Sequence, residues 1–261
     1  MDKVRFYRIL DIDSADEFQY FENLSALLEE DEFIEENLIK DLTLEISTGK
    51  LTVVTGPNGG GKTSLAKLIA GLFVPTSGKI FLDDRDITSV SVTERAKLGI
   101  AYAFQQPVSF KGITVRRLME IASGKKMPEM DMCRMLEKVG LCAREYMNRE
   151  MDNKLSGGEM KRIEIATALC RNAKYLVFDE PEAGIDLWSF TSLTETFEEL
   201  KKDNDRALLI ISHQERILRI ADEIVVIADG VITKSGTRDE IFPTLLTDSE
   251  KIYCPKGQEM F

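Results

Sequence analysis

The residues of this 261-residue chain best suited to chemistry are Gly56, Pro57, Asn58, Gly59, Gly60, Gly61, Lys62, Thr63 and Ser64, which fit Gly-x-x-x-x-Gly-Lys-Ser/Thr without a mismatch. They lie where the mechanism of that motif needs them, between a strand-like Leu51–Thr55 and a helix-like Ser64–Ala70. Glycines let successive backbone N–H groups face inward as an anion nest, and a helix N-terminus adds partial positive charge. Lys62 would reach the β and γ phosphates of a nucleotide, and Thr63 would offer its hydroxyl to Mg²⁺. A glycine-rich turn with no ligand is the bland alternative, and the flanking strand and helix argue against it.

A second constellation is built from carboxylates. Tyr175-Leu-Val-Phe178 reads as a strand buried on both faces, which delivers Asp179 and Glu180 at its C-terminal edge beside the phosphate loop. Adjacent carboxylates rarely do one job: Asp179 would hold the Mg²⁺ shell, usually through water, while Glu180 would polarise the attacking water as general base. An Asp-Glu pair alone reads as a solvated strand end, but four apolar residues before it and Pro181 after it make that the weaker reading.

Leu155-Ser-Gly-Gly-Glu159 then resembles the signature motif of ATP-binding-cassette (ABC) ATPases, with the likeness running over roughly residues 38 to 242. Phe104-Gln105 looks like the family's Q-loop, Ala183-Gly-Ile-Asp186 its D-loop and Ser212-His213 its H-loop. Gln106 is a neighbouring alternative, and the family's aromatic immediately before the glutamine selects Gln105. The resemblance implies an α/β fold of phosphate-loop NTPase type, with a mainly parallel sheet core, a small antiparallel β subdomain and an inserted helical subdomain. It also implies an Mg²⁺-dependent ATP hydrolase that pairs head-to-tail with a second copy of itself on binding ATP. Gly56, Asn58, Gly59, Gly60, Gly61, Lys62, Thr63 and Ser64 of one copy would face Ser156, Gly157, Gly158 and Asp186 of the other. By the same resemblance Glu180, His213 and Gln105 are the catalytic residues, and Thr63, Gln105 and Asp179 attend the metal. His213 is the chain's single histidine, and without this context it would read as a strand-end surface residue after Ala207–Ile211.

The implied organisation is an acidic extension over 1–36, an ATP-binding core over 37–110 and 173–242, a helical signature subdomain over 111–172, and a tail over 243–261 without a motif. Within the core, Leu42, Leu44 and Ile46 alternate as a strand, Lys79–Leu82 and Ile224–Ala228 read as further strands, and Asp229-Gly230 turns into Val231–Lys234 as a hairpin. Val115–Ala122, Asp131–Val139 and the stretch opening at Glu159 read as helices, with no strand pattern until Lys174. Eight of the ten methionines fall between Met119 and Met160, which fits either core packing or an adaptable partner groove.

Composition narrows the class. At 43% hydrophobic residues the chain can bury a sizeable core, and no apolar segment approaches the ~20 residues needed to span a bilayer. With no signal peptide visible, and with Cys133, Cys142, Cys170 and Cys254 at neither disulfide nor metal-ligand spacing, the expectation is a cytoplasmic protein with free thiols. Residues 9–39 hold eleven acidic side chains and no Lys or Arg, which leaves the rest of the chain neutral, at 34 of each sign, with no basic stripe for nucleic acid. Ser14 and Glu17 fit a capping box there, ahead of Phe18, Phe21, Leu24, Leu27 and Leu28 at helical spacing. Phe33, Tyr20 and Phe21 are rival positions for an aromatic that stacks on adenine.

The partner is expected from wording around the motifs. Ala103–Pro107 running into Phe110–Val115, Gly158–Arg162 and Ser212–Leu218 resemble the ATPase of the SUF iron–sulfur cluster assembly machinery in a compact form, which implies a soluble scaffold partner. The alternative is the ATP-binding subunit of a membrane importer; such subunits usually carry Pro after the D-loop Asp, where this chain has Leu187. Chromosome and DNA-repair cassettes are set aside, because residues 106–155 are too few for their coiled-coil insertion.

Overall fold

The computed structural model describes residues 39–152 and 154–252. Ten strands and nine helices are assigned among them. The strands are β1 (Lys50–Thr55), β2 (Phe81–Leu82), β3 (Arg85–Asp86), β4 (Ile100–Ala103), β5 (Phe110–Thr114), β6 (Glu150–Met151), β7 (Tyr175–Asp179), β8 (Ala207–Ile211), β9 (Glu223–Ala228) and β10 (Val231–Thr237). The helices are α1 (Lys62–Ala70), α2 (Val92–Lys97), α3 (Val115–Ser123), α4 (Glu129–Lys138), α5 (Ala143–Tyr146), α6 (Gly157–Cys170), α7 (Leu187–Leu200), α8 (Glu215–Ile220) and α9 (Arg238–Ile252).

Six strands form one sheet in the order β10-β9-β1-β8-β7-β4. All neighbours run parallel except β10 against β9. β7 and β8 carry continuous apolar runs, Tyr175–Phe178 and Ala207–Ile211, because both faces of the sheet are covered, and alternate residues of each strand go to opposite sides. Leu51, Val53, Leu176, Phe178, Leu208 and Ile210 pack into a core shared with α3, α6 and α7. Val54, Tyr175, Val177, Leu209 and Ile211 meet Leu65, Ala66 and Ile69 of α1 on the other side. With β1, β8 and β7 side by side, the chain segments following them emerge along one edge, where α/β sheets place their ligands.

Several expectations are corrected. Residues 39–46 alternate in burial, with Leu44 and Ile46 inside, but form no ladder with the other described residues; Asp41 makes an isolated bridge to Val231. The strand expected from Lys79 begins only at Phe81, because Ile80 gives its N–H to the side chain of Thr88 at 2.9 Å. β4 was not legible as a strand, and β5 pairs antiparallel with β6 inside the stretch expected to hold only helices. Segment 243–252, expected to be tail, lies within α9. The Asp229-Gly230 hairpin is present, with both residues at positive φ (51° and 78°) as a type I′ turn requires. Met119, Met132, Met147 and Met151 are buried, Met127, Met135 and Met160 pack against the same core, and Met130 is exposed. The acidic extension, its capping box and the three candidate adenine-stacking aromatics lie outside the described residues.

Candidate functional site

The phosphate loop joins β1 to α1, and its glycines are required by close approach as well as by φ. A Cβ on Gly56 (φ 136°) would sit 2.0 Å from the carbonyl oxygen of Ile227 in β9, and one on Gly60 2.8 Å from the same atom. Gly61 caps α1 in the left-handed conformation at φ 101°, and no acidic residue occupies the first turn of that helix, which leaves its positive end available to an anion. Lys62 is buried, and its Nζ donates to the carbonyls of Gly56 and Pro57, each at 2.8 Å. Burial pulls its pKa down, against the opposing pull of Glu180 and Asp179. Asn58 and Gly59 are exposed on the outside of the loop, and Ser64 is half-buried in α1.

Four chain segments converge on the carboxylates at the end of β7. Asp179 is fully buried; the Thr63 hydroxyl donates to Oδ1 at 3.5 Å and the Tyr102 phenol to Oδ2 at 3.2 Å. Burial pushes the Asp179 carboxyl up, opposed by the Tyr102 hydrogen bond and the charge of Lys161. Gln105 donates from Nε2 to Oε2 of Glu180 at 3.0 Å, so its amide lies against that carboxylate. Glu180 has φ 44°, a conformation rare for a residue other than Gly, Asn or Asp, and its N–H extends the β8 ladder to Ile211 O at 2.9 Å. Such strain persists only where the surroundings hold it, and it collects at functional positions.

His213 is exposed at the end of β8. The preceding Ser212 is buried; it donates to Oε1 of Glu182 at 2.5 Å and accepts from Gln214 N at 3.0 Å, which fixes the turn on which His213 stands. Burial raises the Glu182 carboxyl, offset mainly by that Ser212 hydrogen bond.

Ser156 caps α6 in a reciprocal capping box with Glu159, so the helix starts two residues earlier than the sequence pattern suggests. Ser156 and Gly157 are exposed, while a Cβ on Gly158 would lie 2.4 Å from the carbonyl oxygen of Gly184, so the signature turn rests directly on the D-loop. Asp186 caps α7 through Oδ1 to Trp188 N and Ser189 N, and these bonds hold its carboxyl below the usual range. Arg162 ties the two segments again, donating to Ser189 Oγ at 2.7 Å.

The structure thus groups Lys62, Thr63, Gln105, Asp179 and Glu180, and places Ser156, Gly157 and Asp186 on an exposed neighbouring face. Tyr102, Lys161, Glu164 and Glu182 were missed by sequence reasoning. Tyr102 lies in the overlooked β4, and nothing local marks its phenol as a partner of Asp179, 77 positions away.

Comparison with known proteins agrees with this geometry. The sequence profile described as ABC transporter matches residues 39–183. An uncharacterised ABC transporter ATP-binding protein of Methanocaldococcus jannaschii is 35% identical over 85% of this chain and 92% of its own length. The chain belongs to the ABC transporter family. An Fe³⁺ ions import ATP-binding protein of Photobacterium profundum is 32% identical over 81% of this chain, which spans 60% of that relative. A lipopolysaccharide export system ATP-binding protein of Acidithiobacillus ferridurans is 30% identical over 78% of this chain and 86% of its own length. A solved dimeric ATP-binding cassette in a post-hydrolysis state with ADP and Pi superposes with a TM-score of 0.69 at 22% identity, over 77% of this chain and 90% of that one, and shares the fold.

The cassette is accordingly an ATPase that uses Mg²⁺. Its residues fit both. The phosphate-loop cradle leaves no room for a Cβ at Gly56 or Gly60, and the buried Asp179 carboxylate stands beside the Thr63 hydroxyl. One carboxylate, a hydroxyl and an amide oxygen, completed by phosphates, are the hard oxygen ligands Mg²⁺ prefers. Among the described residues no group of three or more His, Cys, Asp or Glu could hold a metal by itself. No helix among them is long and apolar enough to cross a membrane.

Proposed function

We propose that this cassette is the ATP-hydrolysing subunit of a transport system, in which two copies close head-to-tail on Mg-ATP and pass the movement to a membrane-spanning permease. The observation that carries the hydrolytic part is the Gln105–Glu180 hydrogen bond at 3.0 Å beside the Thr63–Asp179 contact at 3.5 Å. Glu180 is the general base toward water, and Gln105 and His213 orient that water and the γ-phosphate. Thr63, Asp179 and Gln105 would hold Mg²⁺, which would supply charge neutralisation at the phosphates. Lys62 and the loop amides of Gly59, Gly60 and Gly61 hold the phosphates, with Gly56, Asn58 and Ser64 shaping the loop. Ser156, Gly157, Gly158 and Asp186 complete the site of the opposing copy, a role supported by the exposure of Ser156 and Gly157 at the start of α6.

Replacement of Glu180 by Gln keeps the size and the hydrogen bond to Gln105 but removes the base. Turnover is expected to fall roughly 10²–10⁴-fold with ATP binding retained. The variant should also accumulate as an ATP-bound pair, measured by light scattering. Wild-type turnover would sink the assignment.

The permease partner is supported by relatives whose names assign them to ion import and lipopolysaccharide export. A second reading, the compact SUF-like ATPase acting on a soluble iron–sulfur scaffold, rests on the wording from Ala103 to Pro107 and on Leu187 in place of the importers' Pro. The relatives named above are transport subunits, so it stands second. Affinity capture of the Glu180→Gln variant from its host, with ATP, separates the two: a co-purifying chain with membrane spans supports transport, and a spanless one overturns it.

A further inference from the structure

Beneath the carboxylates lie two charged side chains that the chemistry above does not use. Lys161 is fully buried, although the residue type is rarely inside. Its Nζ donates to the carbonyl oxygens of Phe104, of Gln105 at 3.3 Å and of Asp179 at 3.1 Å. One turn on, Glu164 accepts the N–H of Phe104 on Oε1 at 2.8 Å, and its Oε2 lies 3.7 Å from Lys161. Both polar groups of the Phe104 backbone are therefore held by side chains of α6, the helix that opens at Ser156. The next residue, Gln105, bonds Glu180, and the third carbonyl taken by Lys161 belongs to the residue preceding Glu180.

We propose that Lys161 and Glu164 are positioning residues for hydrolysis, which fix the start of the Q-loop and the end of β7 to the signature helix so that displacement of Ser156 is carried to Gln105 and Glu180 of the same subunit. The proposal rests on the reading of Gln105 and Glu180 as hydrolytic residues.

Stability alone does not explain the pair. Burying an ammonium and a carboxylate carries a desolvation cost that their attraction often fails to recover, and well-packed apolar replacements are commonly neutral or stabilising. What an apolar side chain does not do is hold three carbonyls from the ends of two adjacent strands, β4 and β7, and one N–H in a fixed arrangement. These groups lie at the ends of the ladder, where partners must come from outside the sheet. Supplied by one helix, those partners make the Q-loop backbone move with α6. A loop held only by its own flanking strands would not.

The test uses the full chain with Lys161→Gln, Lys161→Met, Glu164→Gln and Gln105→Ala, reading kcat, KM, nucleotide affinity and melting temperature. Lys161→Gln is expected to lower kcat roughly 10- to 100-fold, the scale of an ångström-level misplacement. Mg-ATP affinity should stay within about threefold, because the phosphate loop is not touched. Added to Gln105→Ala, it should lower kcat little further, since residues acting through one another are non-additive. Lys161→Met covers the case in which the glutamine variant does not fold: slow turnover at unchanged or raised melting temperature supports positioning. Full multiplication of the Lys161 and Gln105 effects overturns the proposal, as does a kcat within about twofold of wild type in Lys161→Met and Glu164→Gln. A Glu180→Gln control separates the two readings, because retained turnover there removes the hydrolytic assignment itself.

Discussion

The phenol of Tyr102 donates to Oδ2 of Asp179 at 3.2 Å, reaching from β4 across to the end of the adjacent β7. With Thr63 on Oδ1, it fixes the orientation of the buried carboxylate that the proposed function turns toward Mg²⁺. Tyr102→Phe removes one hydrogen bond to a charged group without changing the ring that packs edge-on to Phe104. We expect it to cost about 1–2 kcal/mol of stability and to raise half-saturating Mg²⁺ roughly three- to tenfold, because the carboxylate is left less satisfied and harder to ionise. Titration of ATPase activity with Mg²⁺ at saturating ATP checks this; an unchanged midpoint would show that the phenol does not orient the metal carboxylate.

The phosphate loop offers an internal control. Gly56→Ala places a methyl 2.0 Å from the Ile227 carbonyl, backbone against backbone, so the loop must shift or β9 must give way. Gly59→Ala meets nothing within 4 Å and suffers only from its left-handed φ of 78°. The first substitution should abolish nucleotide binding, and the second should cost about 1–2 kcal/mol. Melting curves with and without nucleotide distinguish them, and equal damage from both would contradict the geometry.

Burial lifts the Glu164 carboxyl to about 7, against the pull of Lys161 and the Phe104 N–H, with Asp179 reinforcing the rise. Burial, then Asp179, raises the Tyr102 phenol, and the Glu164 charge adds to that rise. A carboxyl whose folded pKa lies above its ordinary value binds more protons in the native state between the two, so this group's contribution to stability falls as pH rises from about 4.5 to about 7. Relative to Glu164→Gln, the wild type is expected to lose on the order of 1–3 kcal/mol across that window. Urea denaturation of both proteins at pH 5 and pH 8 measures it. A difference independent of pH would mean that Glu164 stays charged throughout.

Trp188, the chain's single tryptophan, is 83% exposed beside the D-loop, and its neighbour Leu187 is 58% exposed. Both stand next to the signature turn, through the contact of Gly158 with Gly184. Closure of two Glu180→Gln copies on Mg-ATP should cover this surface and shift the tryptophan emission to shorter wavelength, whereas ADP should not. A pair seen by scattering with an unmoved spectrum would place the seam elsewhere.

The local codes of the molecule were legible. Four apolar residues before Asp179, a glycine turn before Lys62 and an apolar run ending in Asp229-Gly230 each carry their structural meaning within a few positions, because strand burial, anion nests and type I′ turns are set by neighbouring residues. What misled was equally local: residues 39–46 have a strand's alternation, but a strand also needs a ladder partner, and among the described residues they have only the Asp41–Val231 bridge. β4 escaped notice because four residues carry too little periodicity to stand apart.

By itself the sequence determined the phosphate loop, the paired carboxylates, the signature turn and the family they belong to, since each depends on residue type at fixed short spacing. Only the tertiary structure decided that Tyr102 faces Asp179, that Ser212 is tied to Glu182, and that Lys161 and Glu164 lie under the Q-loop. Those contacts join segments up to 77 positions apart, brought together by the order of strands in the sheet. A charged residue on a helix looks the same in sequence whether it faces water or three carbonyls, and the packing of α6 against the strand ends settled which.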